Sequence, residues 1–176
     1  MLTNGVKIMR IAICSQYNRA IIADYEWEWP ANTEKQLLAS LCGSFLVLAK
    51  DLNDEAISFA SFEDPARKNN PTTRPQQSSL INEQDYIYLG LQTRESLIVG
   101  CVYKIMDEKR EERHDAFLNS LMQRVLDGFI AQYGEYHQSQ KDYLESLFNK
   151  DQEIIKPEVA NHFAQFSEQI PSYLTN

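Results

Sequence analysis

Glu111 and His114 stand in Glu-x-x-His spacing, which puts a carboxylate and an imidazole one turn apart on a helix, as in di-iron helical bundles. That chemistry needs a second such motif and further carboxylates on facing helices, and the chain has neither. His114 and His137 lie in polar stretches and read as exposed, while His162 falls in the C-terminal segment. Cys14, Cys42 and Cys101 are widely spaced, each inside an apolar stretch, and no Cys-His set has zinc-like spacing. They read as small core residues of a reduced, intracellular protein. The glycines are scattered, without the clustering of a phosphate-binding loop. A serine or cysteine nucleophile and its base meet only in the fold, so the sequence does not test that arrangement. The expectation is a protein that is not an enzyme, with no cofactor and no metal.

Two groups of residues could bind rather than react. Trp27 and Trp29 share one face of an alternating segment with Ile21, Ala23 and Tyr25, opposite Asp24, Glu26 and Glu28. Aromatics at this period belong to a core under a helix or, failing that, to a binding platform. Arg67, Lys68 and Arg74 form the one local basic excess in a chain of formal net charge -8. That charge argues against nucleic acid as a partner, because neutralising phosphates takes clustered Lys and Arg. The other basic run, Lys104 to Arg113, is diluted by Asp107, Glu108, Glu111 and Glu112 and reads as a solvated turn.

The elements that must position these residues follow from periodicity. A chain of 176 residues, 43% hydrophobic, can bury one core. Lys7 to Tyr17 and Arg19 to Trp29 read as two strands turning near Asn18, with Pro30 ending the second. Leu38, Leu41, Phe45, Leu48 and Leu52 step by three and four, predicting a helix from Glu34 to Leu52. Ala56 to Phe62 is a third strand. Glu63 to Gln84, with Pro65, Pro71 and Pro75, is a polar loop of unusual length, either a disordered insertion or a binding loop.

Tyr86 to Thr93 and Leu97 to Ile105 follow as a hairpin turning at Arg94-Glu95, and the apolar run Leu97 to Val102 suits a strand covered on both faces. Next comes the clearest helix of the chain. Phe117, Leu118, Leu121, Met122, Val125, Leu126, Phe129 and Ile130 make a broad apolar stripe. Glu111, Glu112 and Asp115 gather at its start, where the helix dipole favours negative charge, and Gly134 is the expected C-cap. Gln140 to Ile155 reads as another helix stopped by Pro157, and Val159 to Ile170 as a short one before a frayed tail. The opening lacks the apolar region of a signal peptide, and no run reaches membrane-spanning length. A cytoplasmic protein is expected.

The fold class predicted is α+β, a five-stranded antiparallel sheet in the order β-β-α-β-β-β-α-α, with one helix on one face and the C-terminal helices on the other. This layout resembles the longin domain, a small profilin-like fold found in vesicle SNAREs, adaptor subunits, transport-complex subunits and nucleotide-exchange factors. IAICSQYNRAIIADY (Ile11 to Tyr25) is similar to the longin opening hairpin. DEKREERHDAFLNSLMQRVLDGFIAQYG (Asp107 to Gly134) is closer: a charged turn, a helix opening on an aromatic-leucine pair (Phe117-Leu118), a later Phe129, and a Tyr133-Gly134 ending. The resemblance covers residues 7–150. The loop at 63–84 is longer than the family's usual connection, and no SNARE heptad segment or anchor follows. The organisation expected is a longin-like domain over 1–156 and a short helix and tail over 157–176.

The resemblance implies a non-catalytic protein-interaction domain that binds a small GTPase, a SNARE or another longin-like subunit in membrane traffic. It also implies contact with endomembranes only peripherally, through partners. The physical basis would be the flank of the helix from Glu34 to Leu52 and an open sheet edge, and the same surfaces suit a homodimer. The family's contact residues vary between branches, so the candidate partner-binding positions remain Trp27, Trp29, Arg67, Lys68 and Arg74. The alternative from another class is a stand-alone sensory or ligand-binding domain with a small-molecule pocket between Trp27, Trp29 and the first helix.

Overall fold

The computed structural model describes residues 2–18, 20–28, 59–63, 86–147 and 155–174. The predicted helix over Glu34 to Leu52 and the long polar loop lie outside them, apart from Glu63 at the loop's start.

Six strands are described: β1 (Leu2–Thr3), β2 (Val6–Ser15), β3 (Ile21–Glu26), β4 (Phe59–Glu63), β5 (Tyr86–Arg94) and β6 (Leu97–Ile105). They form one antiparallel sheet in which β2 and β6 are the central pair. β3 flanks β2, while β5 and then β4 continue beyond β6. β1 is a two-residue addition turned back on the start of β2 through Asn4 and Gly5, both at positive φ. The α+β class and the five-stranded antiparallel sheet are therefore as expected.

The alternation of β2 explains its place in the middle. Val6, Ile8, Ile11 and Ile13 point into one core, and Met9, Ala12 and Cys14 into another on the opposite face. β6 does the same, with Leu97, Val99, Cys101, Tyr103 and Ile105 on the first face and Ile98 and Val102 on the second. A slip of register between Ile8 and Arg10 bulges β2 at Met9, whose carbonyl accepts the N–H groups of Trp27 and Glu28. A second slip, between Ile13 and Cys14, corrects the simple alternation read for β3. Ile21 joins the second face with Cys14, whereas Ile22 and Ala23 join the first.

Three helices and a 3-10 turn follow: α1 (Glu112–Ser139), α2 (Lys141–Leu147), α3 (Pro157–Ser167) and the turn Ile170–Leu174. α1, α3 and the 3-10 turn bury their apolar sides in the core of the first sheet face. The α1 stripe is as predicted, with Leu118, Leu121, Met122, Val125, Leu126 and Phe129 buried.

Its end is not. Gly134 lies inside the helix, which runs on to Ser139. Glycine costs about 1 kcal/mol there relative to alanine, and the packing of the last turns outweighs it. Tyr133 and Tyr136 meet His162 and Phe163, and His137 is buried. The helix expected over Gln140 to Ile155 is described only as α2, with 148–154 outside the described residues.

Pro157 does not merely stop a helix. It occupies the first turn of α3, where its missing N–H costs nothing. Lys156 ties the two short helices together, its N–H donating to the Tyr143 hydroxyl at 2.7 Å and its ammonium lying 4.7 Å from the Tyr143 ring centroid. The segment after α3 is not a frayed tail, because Ile170 and Leu174 are buried in the main core. α3 also attends the sheet margin: Ser167 Oγ accepts the backbone N–H of Asp24 on β3 at 3.0 Å.

The 3-10 turn docks on α1 at a position where a side chain is missing. Tyr173 lies against Gly128, so a methyl group there would overlap its ring and hydroxyl. Gly128→Ala is expected to cost about 1–3 kcal/mol by overpacking, read from urea unfolding. In a Tyr173→Ala background the same change should cost much less, and a cost that persisted undiminished would place the strain elsewhere.

Candidate functional site

The polar side chains of the described residues gather at the two ends of α1. At its N-terminus, the turn after β6 folds back on the helix. His114, at the third helical position, accepts the Glu111 N–H on Nδ1 at 2.9 Å. That bond leaves the ring proton on Nε2, which lies 2.9 Å from Asp107 Oδ2 and donates to it. Asp107 also accepts from Arg113 Nη2 at 2.6 Å. Glu111 and His114 therefore do stand together, but both imidazole nitrogens are used in capping the helix. The expectation that His114 is exposed is overturned: it is fully buried.

Beside this cap, Arg110 binds Asp115 through Nε at 2.8 Å and Nη2 at 2.6 Å, both to the same carboxylate oxygen. Its guanidinium carbon lies 5.4 Å from the Tyr88 ring centroid, and Tyr88 stacks on Tyr103 with centroids 5.4 Å apart. Between α1 and the β5–β6 hairpin these residues leave a cavity of about 160 Å³, lined by Gly90, Tyr103, Arg110, Asp115, Leu118, Asn119 and Met122. Burial pushes the Tyr103 hydroxyl well above its ordinary pKa.

At the C-terminal end of α1 a second cluster locks the β2–β3 turn to the helix. His137 is 2% exposed, and its Nε2 lies 2.9 Å from Ser15 Oγ. Ser15 Oγ accepts the Tyr17 N–H at 3.3 Å, so its own proton is free to go to His137. The Tyr17 ring stacks on the imidazole with centroids 4.9 Å apart, and its hydroxyl donates to Gln138 Oε1 at 2.8 Å. The exposed setting read for His137 is thus also overturned. A serine beside a histidine invites a nucleophile-base reading. The nearby groove of about 530 Å³ is lined by His137 with Glu95, Leu97, Gly134, Glu135, Gln138 and Ser139, but not by Ser15. Ser15 is wholly buried, its hydroxyl engaged with His137 and the Tyr17 N–H. The pair acts as a buried hydrogen bond between sheet and helix.

On the second sheet face, Arg10 of β2 is fully buried and donates from Nη2 to Asp24 Oδ2 at 2.7 Å. Removing Asp24 would break this buried ion pair, at a cost of about 3–5 kcal/mol. The residues singled out as partner-binding fare unevenly. Trp27 is half-buried against the main core, its ring 4.7 Å from that of Tyr25. Trp29, Arg67, Lys68 and Arg74 lie outside the described residues. Cys14 and Cys101 are buried in the core, as expected, while Cys42 is not described. Among the described residues no group of three His, Cys, Asp or Glu is placed to hold a metal ion. No described helix is long and apolar enough to cross a membrane.

Burial holds the His137 pKa down, to about 4 from an ordinary 6.5. The folded state therefore binds this proton less readily than the unfolded chain. Its contribution to stability is complete above about pH 6.5 and is lost as pH falls toward 4, by up to roughly 3 kcal/mol. Denaturant unfolding of the wild type and His137→Gln across pH 7.5 to 4 should converge as the pH drops. Parallel curves would show that His137 does not carry this dependence. No family model matches the chain and no curated protein matches it, so its function is argued from the residues and the fold alone.

Proposed function

We propose that the chain is a non-catalytic protein-interaction domain of longin type that binds a small GTPase, a SNARE or another longin-like subunit in membrane traffic. The observation that carries the reading is the order of its elements: an opening hairpin, a three-stranded meander, then a charged turn feeding one long helix. Of the residues on which the resemblance rests, Tyr133 and Gly134 lie inside the long helix rather than at its end. Leu118 and Phe129 are buried in the core of the first sheet face, and Phe117 packs at its margin. The polar groups nearest to catalytic constellations, Ser15 with His137 and Asp107 with His114, are spent on joining elements. That leaves surface recognition as the work for which the fold is suited.

The test is capture from native cell extract with the full chain as bait, followed by direct binding to the recovered GTPases loaded with GDP or with a GTP analogue. The reading expects a GTPase, SNARE or longin-like protein among the specific partners, with a GTPase distinguishing the two nucleotide states. Recovery of none of these classes would remove the trafficking assignment.

A further inference from the structure

The turn between β1 and β2 joins an exposed asparagine to a glycine that the fold cannot exchange. Asn4 and Gly5 stand at φ 53° and 73°, the conformation in which an Asn-Gly loop closes a hairpin. Gly5 is fixed by a second constraint, because a Cβ there would overlap the Asp107 carboxylate. That carboxylate lies 2.9 Å from His114 Nε2 and also accepts from Arg113. The Gly5 carbonyl accepts the Met106 N–H at 2.8 Å. The turn is thus fastened to the start of α1 from its glycine side, while Asn4 is exposed.

These two residues are also the only Asn-Gly pair of the sequence. A glycine nitrogen is not shielded by its own side chain, so it can approach the side-chain carbonyl carbon of the asparagine before it. The ladder bonds of this hairpin belong to the flanking pairs, Thr3↔Val6 and Leu2↔Lys7, and leave the Gly5 N–H outside the ladder. With two pairs to hold it, β1 opens at little cost, and Asn4 then samples the backbone angles that ring closure needs.

We propose that Asn4 is a site of spontaneous covalent modification, its side-chain amide becoming a carboxylate by way of a succinimide. The Gly5 nitrogen loses its proton and attacks Asn4 Cγ; the Cγ–Nδ2 bond breaks and ammonia leaves. Water then opens the ring. Addition at Cγ gives aspartate, and addition at the main-chain carbonyl carbon gives isoaspartate, so the net change consumes water and releases ammonia. Either product puts a new negative charge on the residue beside Gly5, against which Asp107 already packs. Isoaspartate also adds a backbone atom to a loop whose length sets the hairpin register. The modification is a charge switch on the contact between the β1–β2 turn and the start of α1. It goes beyond the proposed function and does not depend on it.

The experiment incubates the full chain, folded, at neutral pH. Mass spectrometry of the tryptic peptide 1–7 follows the change from amide to acid, and electron-transfer fragmentation separates isoaspartate from aspartate. Conversion at Asn4 is expected to be at least tenfold faster than at Asn119 and Asn161, which lie within α1 and α3. Hydrogen exchange supplies the second readout. Protection of the Met106 N–H should fall at least tenfold in the converted protein and stay unchanged at Val125. Asn4→Gly tolerates the turn and lacks the reactive amide, so its Met106 protection should not change with incubation. The proposal is overturned if Asn4 converts no faster than the helical asparagines, if conversion leaves Met106 as protected as before, or if Asn4→Gly loses that protection at the same pace.

Discussion

Everything in this fold depends on the burial of β2 and β6 on both faces. These strands pair along most of their length, from Val6↔Ile105 to Ser15↔Leu97, and send side chains into two separate cores. A strand buried on both sides can tolerate few polar groups, and each one must find a partner. β2 nonetheless carries Arg10 and Ser15, both wholly buried. Arg10 reaches Asp24 across the neighbouring strand, and Ser15 reaches His137 on α1. Register between β2 and β3, and the position of α1 over the sheet, are thereby tied to specific polar contacts as well as to apolar burial.

The same constraint explains why α1 is so long. At 1.5 Å per residue its 28 residues span about 42 Å. Its apolar middle covers the sheet, while each end carries a buried histidine tied to a different element. His114 fastens the turn after β6 through Asp107, and His137 fastens the β2–β3 turn through Ser15. Apolar burial alone leaves a helix free to slide along a sheet for little change in energy. Two directional hydrogen bonds, far apart on the same helix, resist that sliding. The aromatic packing of Phe129 and Tyr133 against Phe163 and Phe166 then sets α3 beside the helix.

What was legible in the sequence is what depends on local period. The strands from Val6, Ile21, Tyr86 and Leu97 and the apolar stripe of α1 follow directly from spacing. The misses share a different cause. His137 looks solvated among Tyr, Gln and Ser neighbours, but its partner lies 122 residues away. Gly134 resembles a helix terminator until Phe163 and His162 are placed against the turns around it. Ile21 changes face because of a register slip that no alternation encodes. Pro157 reads equally well as a stop for one helix or the first turn of the next, and only the Tyr143–Lys156 contact distinguishes the two. Of the residues around the cavity at the start of α1, Arg110 read as part of a solvated turn and Asp115 as an acidic residue at the helix start. Tyr103 was one more apolar position in a buried strand.

Polar groups buried in such a core are each expected to find a partner. Where a polar group in a core is used structurally, its partner is present, as with Arg10 and Asp24 or Ser15 and His137. Tyr103 sits in the same core but lines the cavity at the start of α1. The buried polar groups Arg10, Ser15, His114 and His137 thus serve to join the elements of the fold itself.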